Sequence, residues 1–175
     1  MAHAYVAIGS NILPEQNVRA ALAALALRAD VEAVSTVYET QPVGRPGQPV
    51  FYNCAVSLAA WLPALALKLE VLRPIEAQLG RRRTRDKYAP RPIDLDLVLY
   101  DDLVSNSAEL VLPDPEIKLR PFLAVPLSEL APDLKYPGSN LSMADIARGL
   151  GREGMRPLAE YTASLRESLV AASAK

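Results

Sequence analysis

One cysteine and one histidine are all that 175 residues supply. Cys54 alone forms no internal disulfide and builds no multi-cysteine zinc or iron–sulfur site. His3, beside the N-terminus, excludes serine–histidine triads and paired-histidine metal centres. Aromatic residues are sparse at 6%, and no G-x-x-x-x-G-K-S/T phosphate loop occurs, so side chains must hold any bound phosphate. The longest small-apolar stretch, Ala20 to Leu27, stops at Arg28 and falls short of the ~20 residues a membrane span needs. The opening MAHAYVAIGSN has no basic segment followed by a long apolar run, so a cytoplasmic location is expected. A net charge of −1, from 19 basic and 20 acidic residues, gives no overall field that would gather nucleic acid or membrane.

What remains is 50% apolar and 22% charged, an ordinary globular composition, and at this length the chain is expected to form one domain over residues 1–175. Ala4 to Ile8 reads as a strand ending at the turn Gly9-Ser10-Asn11. Pro14 opens a helix in which Val18, Ala21, Leu22, Leu25 and Ala26 recur at helical spacing, ending near Arg28. Val31 to Tyr38 reads as a second strand, residues 40–49 as a long loop rich in proline and glycine, and Phe51 to Leu58 as a third strand. Leu62 to Leu79 is helical with Gly80 as its stop, and Pro74 predicts a kink or break inside it. Ile93 to Tyr100 is the fourth strand. The order strand, helix, strand, strand, helix, strand is the split βαβ arrangement, in which two helices cover one face of an antiparallel sheet. Further on, residues 113–115 and 132–139 read as loop, Arg120 to Leu130 and Ser142 to Leu150 as helices, the latter capped by Ser142. The tail from Pro157 to Val170 reads as helix before fraying.

Asp94-Leu95-Asp96 carries the sharpest chemical signal, because strand alternation sends both carboxylates to one face and Ile93, Leu95 and Leu97 to the other. Their Cα atoms stand roughly 6.5 to 7 Å apart, and two such carboxylates repel each other unless cations lie between them; all-oxygen ligation points to magnesium. Arg81, Arg82, Arg83, Arg85, Lys87 and Arg91 place six of the 19 basic residues just before that strand. Forked guanidinium donors beside metal-binding oxygens are what a triphosphate with magnesium demands. Phe51 and Asn53 share a strand face, offering a ring for stacking and an amide that donates and accepts, and Phe122 could supply an opposing ring. Gly149-Leu150-Gly151-Arg152-Glu153-Gly154 matches the G-x-G-x-x-G dinucleotide pattern but follows a helix rather than a strand, so it reads as a helix stop. Cys54, in a strand, reads as buried rather than reactive.

Tyr5 to Asn11, the loop and strand from Thr40 to Asn53, Gly80-Arg81, and above all Ala89 to Leu97 closely resemble the 6-hydroxymethyl-7,8-dihydropterin pyrophosphokinase family over about residues 4–138. The tail, residues 139–175, carries no part of the resemblance. The resemblance implies a ferredoxin-like α+β fold with C-terminal additions. It implies ATP as donor, two magnesium ions on Asp94 and Asp96, and transfer of the terminal pyrophosphoryl group to the pterin hydroxymethyl oxygen with release of AMP, a step of folate biosynthesis. By position, Arg81 and Arg91 act with Asp94 and Asp96. Phe51, Phe122, Asn53, Thr40 and Val43 hold the pterin, and Glu76, Arg81, Arg83, Lys87, Arg91 and Arg120 line the nucleotide. A monomer or weak homodimer is expected, without nucleic-acid or membrane partners.

The chain departs from the family's pattern at several places. Lys87-Tyr88-Ala89 stands for the usual Arg-Trp-Gly, Phe51 for a frequent tyrosine, and Gln41 for a frequent proline. Glu109 and Asp114 stand where many members carry an arginine and a histidine near the triphosphate, so an acid replaces a donor twice. Two other functions fit parts of the pattern: a non-catalytic paralogue that binds pterin or nucleotide, and an RNA-binding module with the same strand order. The latter requires exposed aromatics on the central strands and has no use for the Asp pair.

Overall fold

The computed structural model of the chain describes residues 1–44, 47–82, 86 and 89–173. Its main sheet is built around β1 (Ala2–Ser10), which pairs antiparallel with β4 (Phe51–Ala60) on one side and β5 (Asp94–Tyr100) on the other. β2 (Asp30–Val34) and β3 (Tyr38–Thr40) both pair with β4, and β8 (Met155–Pro157) extends the sheet from β3. A small hairpin, β6 (Ser105–Asn106) and β7 (Val111–Leu112), stands apart. Helix α1 (Pro14–Ala26) connects β1 to β2, and a helical run in three parts connects β4 to β5. This is the expected ferredoxin-like α+β arrangement.

Alternation along the strands decides the two faces. Val6, Ile8, Cys54, Val56, Leu58, Leu95 and Leu97 point toward Val18, Leu22 and Leu25 of α1 and toward Leu67, Leu72 and Ile75, all within one buried cluster. Each such aliphatic side chain contributes about 1.5–3 kcal/mol by leaving water. Ala7, Ala55 and Val98 point the other way, beneath α4 (Pro121–Leu130) and α5 (Met143–Leu150), whose Ala124, Val125, Met143 and Ile146 complete a second cluster. The C-terminal additions thus cover the second face, including the central-strand surface an RNA-binding module would need exposed.

The helical run shows what Pro74 does. Without an N–H, Pro74 cannot close a bond to the carbonyl four residues back. The chain answers with α2 (Ala64–Ala66), a π-helical stretch over Leu67–Leu72, and α3 (Arg73–Gln78). The expected kink is therefore a widened turn. At the far end Gly80 adopts φ 86°, and Arg81 N–H reaches back to the Glu76 carbonyl at 2.9 Å, the 6→1 bond of a Schellman stop.

Three differences from the sequence reading have long-range causes. The expected strand from Val31 to Tyr38 splits into β2 and β3. Thr36 N–H donates to the Glu129 carboxylate at 2.7 Å and Val37 N–H to Thr162 Oγ1 at 3.0 Å, both partners lying in distant helices. β8, three residues long, is too short to show alternation; it forms by backbone pairing with β3, where Arg156 also meets Glu39. Helix α6 (Ala159–Ser173) runs past Val170, where fraying was expected. It lies against α1, with Arg19 donating to Ser164 at 2.7 Å and to Ser168 at 3.2 Å. Ser142 caps α5 as expected, with a reciprocal box to Asp145. Gly151, at φ 75°, ends α5, so the G-x-G-x-x-G string is a helix stop.

Because Gly80 has open space around its missing Cβ, Gly80→Ala meets only the strain of a left-handed alanine. It is expected to lower stability by about 1 kcal/mol, read from the urea midpoint at unchanged slope.

Candidate active site

Pairing register assembles the cleft at one end of the second face. Gly9 is opposite Asn53 on β4 and opposite Asp94 on β5, so the amide and the first carboxylate flank a residue with no side chain. An added Cβ at Gly9 would lie 3.0 Å from Asn53 Oδ1. Asn53 Nδ2 donates to Thr40 Oγ1 at 2.8 Å, which fixes the amide's orientation. The resulting cavity, about 330 Å³, is lined by Thr40, Val43, Phe51, Asn53, Arg91, Asp94, Asp96, Arg120 and Phe122, nine of the residues the sequence reading names.

Loop contacts hold the segment before β5 in place. Asn11 and Arg91 exchange backbone-directed bonds: Arg91 N–H donates to Asn11 Oδ1 at 2.8 Å, and Asn11 N–H to the Arg91 carbonyl at 3.2 Å. Ser10 Oγ donates to the Pro92 carbonyl at 2.5 Å. Asn11 Nδ2 also reaches Gln48 Oε1 at 3.4 Å. Ser10 and Asn11 are buried, so these bonds are shielded from water. The sequence reading takes this pair only as a turn; nothing in periodicity distinguishes an Asn that ties three segments together from one that merely turns the chain.

The charges converge on Asp94. Arg91 Nη1 donates to Asp94 Oδ2 at 2.5 Å, and Arg81 Nη2 stands 3.7 Å from Asp94 Oδ1. Arg81 is aimed there by the Gly80 stop, and its Nε is buried with no hydrogen-bond partner among the described residues. Arg91 also lies 5.9 Å from the centre of the Phe51 ring. Arg120 Nε donates to Glu116 Oε2 at 2.6 Å, and Glu116 lines the cleft as well. Asp96, two residues along the same face as Asp94, is exposed, while Leu95 between them is buried.

Glu76 does not join this cleft. It is buried and accepts a hydrogen bond from Leu95 N–H at 2.9 Å, between the two aspartates. Because β5 is an edge strand, that outward N–H needs a partner, and α3 supplies one. Glu76, expected to line the nucleotide, here bonds the edge of β5, the strand that carries the aspartates. Arg83 and Lys87, also expected on the nucleotide, lie outside the described residues. Glu109 presents its backbone carbonyl to Lys68, and Asp114 caps a 3-10 turn (Pro115–Lys118) by accepting from Glu116 N–H at 2.8 Å.

The donor set suits one kind of metal. Among the described residues no group of three or more histidine, cysteine or acidic side chains could hold an ion. Two strand carboxylates with arginines beside them instead suit magnesium, which keeps waters and takes most remaining ligands from substrate phosphates. Aromatic rings at Phe51 and Phe122, with the Asn53 amide at the floor, suit a flat heterocycle on the other side.

Fold and cleft define a ferredoxin-like α+β protein with a carboxylate pair, flanking guanidinium groups and an aromatic-sided bay. Comparison with known proteins agrees. A model of the 7,8-dihydro-6-hydroxymethylpterin-pyrophosphokinase family matches residues 5–132. The chain is 38% identical over 159 residues to 2-amino-4-hydroxy-6-hydroxymethyldihydropteridine pyrophosphokinase of Synechocystis, covering 89% of this chain and 80% of the relative. It is 39% identical over 147 residues to the protein of that name from Methylorubrum extorquens, covering 82% and 92%. Among solved structures, a Plasmodium falciparum HPPK-DHPS with SDX-DHP superimposes with a TM-score of 0.66 at 12% identity, over 90% of this chain and 47% of that one. The chain belongs to the 7,8-dihydro-6-hydroxymethylpterin-pyrophosphokinase family.

Cys54 touches the cleft wall but is 2% exposed, and burial first, then the charge of Glu129, pushes its thiol up to about 12. Because the thiolate is the reacting form, the folded protein is expected to resist an aromatic disulfide reagent at neutral pH. One thiol should titrate fully once urea is added.

Proposed function

We propose that this chain transfers the terminal diphosphate of ATP, as one unit, to the hydroxymethyl oxygen of 6-hydroxymethyl-7,8-dihydropterin, releasing AMP, as a cytoplasmic step of folate biosynthesis. The observation that supports this reading is the register at Gly9, where the Asn53 amide and the Asp94 carboxylate stand on the two strands that flank β1 and border one cleft. Family membership and a cleft bordered by both sets of residues support transfer over the binding-only reading.

The residues divide the work. Phe51 and Phe122 flank the pterin ring, and Asn53, held by Thr40, reads its polar edge together with the backbone near Thr40 and Val43. Asp94 and Asp96 would hold two magnesium ions, which when bound neutralise phosphate oxygens and orient the polyphosphate. Arg81 and Arg91, beside Asp94, can turn their guanidinium groups to phosphate oxygens as that carboxylate is taken by a cation. Arg120 serves the same charge from the opposite wall, with Arg83 and Lys87 assigned to the nucleotide by position.

In the reaction the hydroxymethyl oxygen forms a bond to the β-phosphorus. The bond from that phosphorus to the oxygen bridging it to the α-phosphorus breaks, its electron pair leaves with AMP, and the hydroxyl proton passes to solvent. Catalysis is placement and charge stabilisation, so no histidine base is required. All the residues named come from one chain, so a monomer or weak homodimer suffices.

Coupled detection of AMP with the hydroxymethyl pterin and magnesium tests the reading: the chain is expected to form AMP and pterin diphosphate in equal amounts. ATP and pterin binding without any AMP would replace it with the binding-only paralogue. Asp94→Asn combined with Asp96→Asn is expected to lower kcat by about a thousandfold with unchanged far-UV dichroism. Gly9→Ala, by pushing the Asn53 amide, is expected to raise the pterin KM by about tenfold while the ATP KM holds.

A further inference from the structure

Asp96 borders a second cavity, of about 290 Å³, and is the one described residue common to both. Its walls include Lys68, Asp96, Glu109, Asp114 and Pro115. Three acidic residues and a single lysine thus border it among the described residues. Lys68 comes from the π-helical stretch over Leu67–Leu72, a local geometry that recurs at functional sites. Its Nζ donates to the Glu109 backbone carbonyl at 2.7 Å, which stands it across the mouth of the cavity. A lysine ammonium has three donors, and that carbonyl engages one. The Asp114 carboxyl is raised by burial, lowered by the hydrogen bond from Glu116 N–H, and lowered least by the charge of Lys68.

The transfer reading requires two bays flanking the aspartate pair, one for each substrate. The aromatic and amide groups occupy the first cavity, which leaves the second for the nucleotide. Magnesium would offset the Asp96 carboxylate, but a triphosphate entering the bay would still meet the like charge of Glu109 and Asp114. We propose that Lys68 is the nucleotide-positioning residue of this bay: its ammonium engages a phosphate oxygen of ATP and offsets the charge of Glu109 and Asp114. This assignment rests on the pyrophosphokinase reading.

Calorimetric titration with the α,β-methylene analogue of ATP and magnesium, beside titration with 6-hydroxymethylpterin, separates the possibilities. Lys68→Met is expected to weaken the analogue by about tenfold or more and Lys68→Arg by no more than about threefold, with pterin affinity unchanged in both. Glu109→Gln keeps the backbone carbonyl that holds Lys68, removes one carboxylate, and is expected to tighten the analogue about twofold to threefold. Analogue affinity unmoved by Lys68→Met overturns the assignment, as does a parallel loss of pterin affinity, which would mark Lys68 as structural. Unchanged or weaker binding by Glu109→Gln overturns the charge-offset argument. Wild-type protein that does not bind the analogue removes the pyrophosphokinase reading and this role together, whereas wild-type binding that survives Lys68→Met removes only the role of Lys68.

Discussion

Strand pairing at Gly9 sets the distance between the two halves of the cleft. Asn53 lies opposite it on one side and Asp94 on the other, so the amide and the carboxylate are separated by two strand spacings, roughly 10 Å. A larger residue between them would meet Asn53 Oδ1 at its Cβ. Slipping either ladder by one residue would turn Asn53 or Asp94 to the opposite face, into the aliphatic cluster that contains Leu95 and Val56. The hydrophobic side of the sheet thus enforces the polar site on the other side: the free energy that holds the register is buried aliphatic area, far exceeding any single hydrogen bond in the cleft.

Electrostatics then works on a rigid frame. The Arg91–Asp94 pair has both side chains about 17% exposed, so it is shielded enough for its hydrogen bond to be strong. Desolvation cancels much of the gain from such a pair, so its net contribution to stability is small, while removing one partner leaves a costly charge. Under the proposed transfer the pair would store carboxylate and guanidinium together until a cation and a phosphate take one each. By contrast, the exposed pair Arg148–Asp145 at the surface is screened by water and contributes little.

Two structural residues support this arrangement from outside the cleft. Glu76 satisfies the Leu95 N–H of an edge strand that would otherwise present an unpaired donor in a buried setting. Asn11 joins the turn after β1 to Arg91 and to Gln48. Both act through backbone geometry, which is why neither shows a chemical signature in the sequence. The C-terminal helices cover the second face of the sheet, and the start of α4 brings Arg120 and Phe122 to the cleft wall.

The sequence by itself determined the four long strand and helix alternations, because periods of 2 and 3.6 are local properties of apolar placement. It also determined that Asp94 and Asp96 share a face, that Phe51 and Asn53 share another, and that Gly80 and Ser142 bound helices, since turn and cap chemistry act within a few residues. Only the tertiary structure decided that those two faces are the same one, that Phe122 meets it, and that Glu76 sits behind β5. It alone also placed Lys68 at a cavity with residues some forty positions away. The split between β2 and β3, and the pairing of β8, likewise depend on Glu129, Thr162 and Arg156 arriving from far along the chain. Local periodicity carries no information about which distant donor will meet a given backbone group; that is settled when the elements pack.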